Sequence, residues 1–305
     1  MPIDSVKITV NGTTTTLTDN GDGTYSATLA APNKTSYNVN SGHYYPITVV
    51  ATNSAGTATT VDDTHASLGD KLKLYVKEVT APTIAISAPT SGQYLATSTP
   101  TIAFTLTDES GGSGIAISTL SFKVDNATYT NTSSGVTVSS ITNGYNVSFT
   151  PTTALSDGSH TLTVTVKDND GNSATSTSVS FTTDTVAPTL SISNPATNGT
   201  YTSESALVVR GTVSDSTSGT PKVTIKLNGT DVGTVTVSNG SFSKGVTLTN
   251  GTNTIVVTAT DLAGKVTTIT RTITLDTSSP VIASISITPN PVNVGSNYTV
   301  TITVE

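Results

Sequence analysis

The sequence predicts an all-β chain of tandem β-sandwich domains forming an elongated rod, and three observations carry that prediction. Apolar and polar residues alternate in short runs: Val6-Lys7-Ile8-Thr9-Val10, Leu162-Thr163-Val164-Thr165-Val166, Val223-Thr224-Ile225-Lys226-Leu227 and Thr299-Val300-Thr301-Ile302-Thr303-Val304. Each run places apolar side chains on one face, as a half-buried antiparallel strand requires. Asn-Gly pairs fall between such runs at 11–12, 143–144, 198–199, 228–229, 239–240 and 250–251. They accept the positive φ angles of two-residue hairpins. Finally, a linker motif recurs as Ala81-Pro82-Thr83-Ile84, Ala187-Pro188-Thr189-Leu190 and Ser279-Pro280-Val281-Ile282, its prolines 106 and 92 residues apart. That spacing is the size of one sandwich. No segment shows a 3.6-residue period.

Composition sets further limits. The 305 residues hold about three domains of roughly 100 residues each. Cysteine is absent, which excludes disulfides, thiolate metal sites and cysteine nucleophiles. The net charge of −7 argues against nucleic acid or an anionic membrane as partner. No apolar run approaches the length of a membrane span, so no membrane insertion is expected. The opening Met1-Pro2-Ile3-Asp4-Ser5 has neither a basic nor an apolar leader region. The expectation is synthesis in the cytoplasm without a signal peptide, and a virion or extracellular location reached by lysis or a dedicated route.

Overlaying the repeats gives an immunoglobulin-like strand order. In residues 187–277, strand A is Thr189–Ser193, B is Ala206–Val213, C is Val223–Leu227, F is Thr254–Thr260 and G is Val266–Leu275. The unit at 80–186 repeats this with Ile102–Thr107 as B, Leu120–Val124 as C and Thr161–Lys167 as F. The first unit, 1–79, opens at the C position. Val6–Val10 followed by Asn11-Gly12-Thr13 matches Val223–Leu227 followed by Asn228-Gly229-Thr230, and Tyr25 matches Phe242. It is therefore read as a partial domain holding strands C to G without A and B.

Residues 278–305 hold an A-like strand, Ile282–Thr288, and a B-like strand, Thr299–Val304. A lone two-stranded ribbon is marginal in water, and an open sheet edge invites another strand. The expectation is that this ribbon completes the first domain of a neighbouring copy head to tail, or docks on another protein. Ile282, Ile285, Ile287, Tyr298, Val300, Ile302 and Val304 would then pair with Val6, Ile8 and Val10. Folding back onto the same chain is disfavoured by the two domains between the ends.

Acidic residues form a second pattern. Glu78, Asp184 and Asp276 each stand four residues before a linker proline. In this architecture the end of strand G meets the BC and FG loops of the next domain. Those loops carry Asp108, Glu109, Asp168 and Asp170 in the second unit, and Asp215 and Asp261 in the third. Carboxylates gathered on turns are what Ca²⁺ needs, and a bound ion would stiffen the linkers. The competing reading is that these residues cap their own turns.

The three histidines, His43, His65 and His160, have no nucleophile partner in sequence, and no catalytic motif is present. His160 and Tyr45 sit at the start of strand F, where a corner residue bonds the backbone. The pairs Asp62-Asp63 and Asp108-Glu109 are poor candidates for glycosidase acids. No catalytic residue is assigned and no enzyme is expected.

Segments such as Ser159-His160-Thr161-Leu162-Thr163-Val164-Thr165-Val166-Lys167-Asp168 leading into Asp170-Gly171-Asn172 resemble bacterial Ig-like repeats. Four further segments resemble Ig-like structural proteins of tailed phages and prophages of Gram-positive, Clostridia-like bacteria. These are Met1–Gly12, His43-Tyr44-Tyr45, Leu68-Gly69-Asp70-Lys71-Leu72 and Ile287-Thr288-Pro289-Asn290-Pro291-Val292. The resemblance implies a structural component of a tail, fibre or surface decoration, whose partners are itself, other virion proteins, or a host-surface glycan or protein. The alternative is a bacterial surface adhesin or carbohydrate-binding array, whose mark would be an exposed aromatic platform.

Overall fold

The computed structural model describes residues 2–305, so Met1 of the first resembling segment lies outside it. The chain is all-β, with two 3₁₀ turns and no α-helix among the described residues. It divides into two compact units, Met1–Asp184 and Thr185–Glu305.

The first unit opens with β1 (Ile3–Val10) and β2 (Thr13–Thr16), joined by Asn11 at φ 49° and Gly12 at φ 75°. Both φ values are positive, which a two-residue hairpin matched to strand twist demands. A short hairpin follows, β3 (Thr18–Asp19) with β4 (Tyr25–Ser26), then β5 (Tyr45–Asn53), β6 (Ala58–Val61) and β7 (Lys73–Leu74). The main sheet runs β2-β1-β5-β6, with β7 added to β5. Its register sets Val6 opposite Ala51, Ile8 opposite Val49 and Val10 opposite Ile47.

The same unit continues with a full sandwich. Its strands are β8 (Thr83–Ala88), β9 (Tyr94–Leu95), β10 (Ile102–Thr107), β11 (Ser121–Val124), β12 (Ala127–Thr130), β13 (Val136–Ile141), β14 (Gly144–Phe149), β15 (Gly158–Thr165) and β16 (Thr177–Thr183). One sheet is β13-β14-β10-β8 and the other is β12-β11-β15-β16-β9. Alternate residues of both inner faces form the core: Ile102, Phe104 and Leu106 from β10 meet Phe122, Leu162 and Val164 from the facing sheet. Phe122 is fully buried.

The second unit repeats this plan with β17 (Thr189–Asn194), β18 (Thr200–Thr202), β19 (Ala206–Ser214), β20 (Lys222–Leu227), β21 (Thr230–Asp231), β22 (Val237–Ser238), β23 (Ser241–Thr247), β24 (Gly251–Thr260) and β25 (Val266–Leu275). Its sheets are β17-β19-β23-β22 and β18-β25-β24-β20-β21, closed over Val209, Ile225, Ile255 and Val257. Asn253, fully buried at one end of β24, accepts the Thr249 N–H and donates to the carbonyls of Thr249 and Gly251. Asn253→Ala strands those groups in a dry site, so we expect a loss of about 2–3 kcal/mol for this sandwich in denaturant melts. The unit ends in a ribbon, β26 (Ile282–Thr288) paired with β27 (Thr299–Val304) and with no other strand.

Candidate functional site

The sheet β2-β1-β5-β6 has the strand arrangement of β12-β11-β15-β16 and β21-β20-β24-β25. In the latter two cases a second sheet covers the inner face and its apolar residues are buried. Over the first sheet no such cover exists among the described residues. Val6, Ile8, Val10, Ile47 and Val49 stay only partly buried, and among the described residues of that region Tyr45, 5% exposed, is the one apolar side chain buried in the core. An open groove of about 610 Å³ remains, lined by Ile8, Val10, Leu29, Ala30, Ile47 and Leu74. β4, in the position held by β23 in the third sandwich, pairs with β3 alone.

The C-terminal ribbon is one-sided too. β26 and β27 pair antiparallel with Ile285 opposite Ile302 and Ile287 opposite Val300, as β8 pairs β10 and β17 pairs β19. Directly opposed residues share a face. One face therefore carries Ile285, Ile287, Val300 and Ile302, and the other carries Ser286, Thr301 and Thr303. A bulge between Ile282 and Ser284 shifts the register beside Val304. The apolar residues are 44–61% exposed, Tyr298 among them. Sequence alternation alone prescribes this two-faced ribbon.

Of the acids, the structure brings Glu78, Asp108 and Asp168 together, one carboxylate oxygen of each lying within 4.8 Å of the others. Glu78 lies on the linker after β7, Asp108 follows β10, and Asp168 follows β15. Asp108 is 8% exposed and Asp168 is 2% exposed. Glu109 lies beside Glu78 and Asp108 at Gly112, where a Cβ would sit 2.7 Å from Asp108 Oδ2, 2.7 Å from Glu78 Oε2 and 2.9 Å from Glu109 Cδ. A side chain there would push the three carboxylates apart. Like charges about 4 Å apart repel by about 4 kcal/mol at an effective dielectric near 20. Burial, with the neighbouring Glu109 carboxylate, pushes the Glu78 carboxyl above its ordinary range. Burial likewise raises Asp108.

The other predicted acids are placed differently. Asp170 accepts the Thr35 hydroxyl at 2.5 Å and the Glu78 N–H at 3.0 Å, tying the first sheet's loops to the second sandwich. Asp184, fully buried, follows β16. Asp215 and Asp261 hold carboxylate oxygens within 4.8 Å of one another. Asp215 accepts the N–H groups of Thr217 and Ser218, which outweigh the upward push of burial and hold its carboxyl below the usual value. Asp261 accepts the Lys265 N–H. Asp276 caps Ser278 through both its N–H and its hydroxyl.

His160 is a structural residue. Its Nδ1 bonds Asp125 Oδ2 at 2.8 Å, and its Nε2 lies 2.9 Å from the Ser156 carbonyl and 3.0 Å from Thr183 Oγ1. That set has the form of an acid–histidine–hydroxyl relay. Yet Thr183 is fully buried and donates to the Ser156 carbonyl, so no substrate reaches it. Tyr45 donates to the Lys34 carbonyl. His43 stacks on Tyr37 at 4.1 Å, and His65 accepts the N–H groups of Ser67 and Leu68. Sequence reading missed a surface group in which Tyr44 meets Tyr75 edge-on at 5.9 Å, beneath Lys73, with its hydroxyl on Asp63. No helix among the described residues is long and apolar enough to cross a membrane.

Two family models match the chain, in agreement with the sheet order. Residues 93–185 match the family model of the bacterial Ig-like domain, and residues 188–277 match domain B of glucodextranase. Bacillopeptidase F of Bacillus subtilis (strain 168) is 36% identical over 131 residues, which are 43% of this chain and 9% of that protein. Among solved structures, the fibronectin(III)-like modules of Clostridium thermocellum CbhA are similar at 18% identity and TM-score 0.39, covering 63% of this chain and 94% of that one. A structure from a 1.5-MDa bacterial ice-binding adhesin is similar at 23% identity and TM-score 0.31, covering 89% of this chain and 86% of that one. The strand order and the two family matches together make this a chain of tandem Ig-like β-sandwich domains.

Proposed function

We propose that the chain is a non-enzymatic assembly protein in which residues 281–305 of one copy cover the open sheet face of the next. The observation that carries this is the pair of complementary one-sided surfaces. One is the apolar face of β2-β1-β5-β6, and the other is the apolar face of β26-β27. In both complete sandwiches an A–B strand pair lies over that sheet, and its B strand pairs with the strand at the β4 position: β10 with β14, β19 with β23. The ribbon is therefore assigned to the same place, its β27 edge added beside β4. β1 already has β2 and β5 on its two edges. Val6, Ile8 and Val10 are thus reached by side chains across the sandwich, about 10 Å from sheet to sheet, and not by backbone pairing. Such a contact is heterologous, so it extends into a filament or closes into a ring.

Hydrogen exchange tests the reading. Amides of 25–30 and 299–304 are expected to gain protection as the concentration of the 305-residue chain rises. Exchange independent of concentration sinks it. The resemblance at 1–12, 43–45, 68–72 and 287–292 supports a tailed-phage virion as the setting. Antibody against the chain should decorate tailed particles from the bacterium that carries the gene. A second reading, a surface adhesin or carbohydrate-binding array, is favoured by the Tyr44–Tyr75 group, because Tyr75 is 61% exposed and suited to stacking on a sugar. Glycan binding lost in Tyr75→Ala would support it.

A further inference from the structure

The carboxylates at the junction between the first sheet and the second sandwich have an organisation that turn capping does not account for. One oxygen of each of two carboxylates is fixed by backbone: Glu78 Oε1 accepts the Ser113 N–H at 2.5 Å, and Asp108 Oδ2 accepts the Gly114 N–H at 2.7 Å. Their other oxygens, Glu78 Oε2 and Asp108 Oδ1, are buried and receive no N–H or O–H donor, and the Glu109 carboxylate that faces both has its own Oε2 equally without a donor. Asp168, held in place by the Asn172 N–H and side-chain amide, completes the group. Among the described residues no Lys, Arg or His forms an ion pair with it. The Lys–carboxylate ion pair among the described residues joins Lys73 to Asp70, and Lys77 reaches the Asp170 carbonyl instead.

Buried, oriented and unpartnered carboxylate oxygens call for a hard cation. The donor set contains oxygen alone, with no nitrogen or sulfur ligand. It is drawn from a linker and two loops, which suits the larger and less regular shell of Ca²⁺ better than the strict octahedron of Mg²⁺. We infer that Glu78, Asp108, Glu109 and Asp168 bind a calcium ion that locks the linker at 75–82 onto the second sandwich. The ion replaces mutual repulsion by shared coordination, and water completes its shell. Asp170 contributes from outside it, by holding Thr35 and the Glu78 backbone.

The test is isothermal titration of CaCl₂ into the EDTA-treated full chain, with thermal unfolding in CaCl₂, in MgCl₂ and in NaCl of equal ionic strength. Expected are a dissociation constant below about 1 mM and a rise of at least about 5 °C in the midpoint of the first unit. Asp108→Asn and Glu109→Gln should each weaken binding at least about tenfold, while Asp276→Asn changes nothing. Either carboxylate variant that keeps the wild-type melting profile in EDTA shows that the fold is intact. Absence of binding heat overturns the inference, as does equal stabilisation by NaCl, which would mean charge screening alone. Equal affinity for Mg²⁺ overturns the assignment to calcium.

Discussion

A chain lacking residues 281–305 is expected to remain monomeric at every concentration at which the full chain associates. The reason lies in what each surface loses alone. The ribbon exposes Ile282, Ile285, Ile287, Val300, Ile302 and Val304 at once, and the sheet it would cover leaves Val6, Ile8 and Val10 only partly buried. Apolar area removed from water stabilises by roughly 25 cal/mol per Å², so joining the two faces stabilises the contact in proportion to the apolar area both lose to solvent. A point substitution should act through the same contact. Ile302→Asp places a carboxylate in the middle of the ribbon's apolar face, where burial of an unpaired charge costs several kcal/mol. The apparent dissociation constant should rise at least about 100-fold, or about 2.7 kcal/mol. Thr301→Asp, on the opposite face, should leave association unchanged. Size-exclusion chromatography with light scattering reads all three variants. Equal association of the full chain and the deletion contradicts the proposal.

The largest effect on folding is expected from Phe122→Ala. Phe122 is fully buried on β11 and is the hub of the second sandwich's aromatic core. Its ring meets Phe104 edge-on at 5.4 Å, Phe149 edge-on at 5.3 Å, and Tyr129 in a stacked pair at 5.4 Å. Truncating a buried phenylalanine costs about 3–5 kcal/mol, and each well-oriented ring pair adds about 0.5–1.5 kcal/mol beyond area. A domain with about 5–15 kcal/mol in total loses much of its stability. Its midpoint should fall by roughly 15–30 °C while the third sandwich melts where it did before. Phe122→Leu, which keeps more of the volume, should recover about half of the loss. A change below about 1 kcal/mol would show that these rings are not the centre of the core.

Much of the fold was legible in the sequence because its signals are local. Strand β25 runs Val266–Leu275, the bounds that alternation predicts, and β20 gains only Lys222. The Asn-Gly pairs at 11–12, 228–229 and 239–240 take positive φ at both residues and sit in two-residue hairpins. The pair at 143–144 differs. Its loop is Thr142-Asn143, and Gly144 lies inside β14, where a Cβ would come within 1.9 Å of the Leu106 carbonyl oxygen. Close backbone approach, not turn geometry, selects that glycine. Strands β9 and β18 are two and three residues long, too short for any period to reveal them.

The candidate sites show the same division. Glu78, Asp108 and Asp168 stood at repeat-equivalent turn positions, so sequence could bring them to one end of a sandwich. It could not tell that Asp170, two residues from Asp168, turns away to Thr35, because that bond spans 135 residues. Nor could it show that Gly112 makes room for Glu109, or that Tyr44 and Tyr75 meet on the surface. The two-faced ribbon was legible from alternation in Thr299–Val304. That its proposed partner face lies across the sandwich, and not along the edge of β1, follows from pairing with β2 and β5, which only the sheet order reveals.

The absence of cysteine allows the most direct measurement of the assembly contact, since any introduced thiol is unique. Ile47→Cys, in the open groove, and Ile302→Cys, on the ribbon's apolar face, would be prepared separately, mixed and oxidised. Covalent dimers are expected only in the mixture, and far fewer when Thr301→Cys, on the polar face, replaces Ile302→Cys. Equal yields from the two ribbon variants, or an internally bridged monomer from a chain carrying both Ile47→Cys and Ile302→Cys, would contradict the proposed contact.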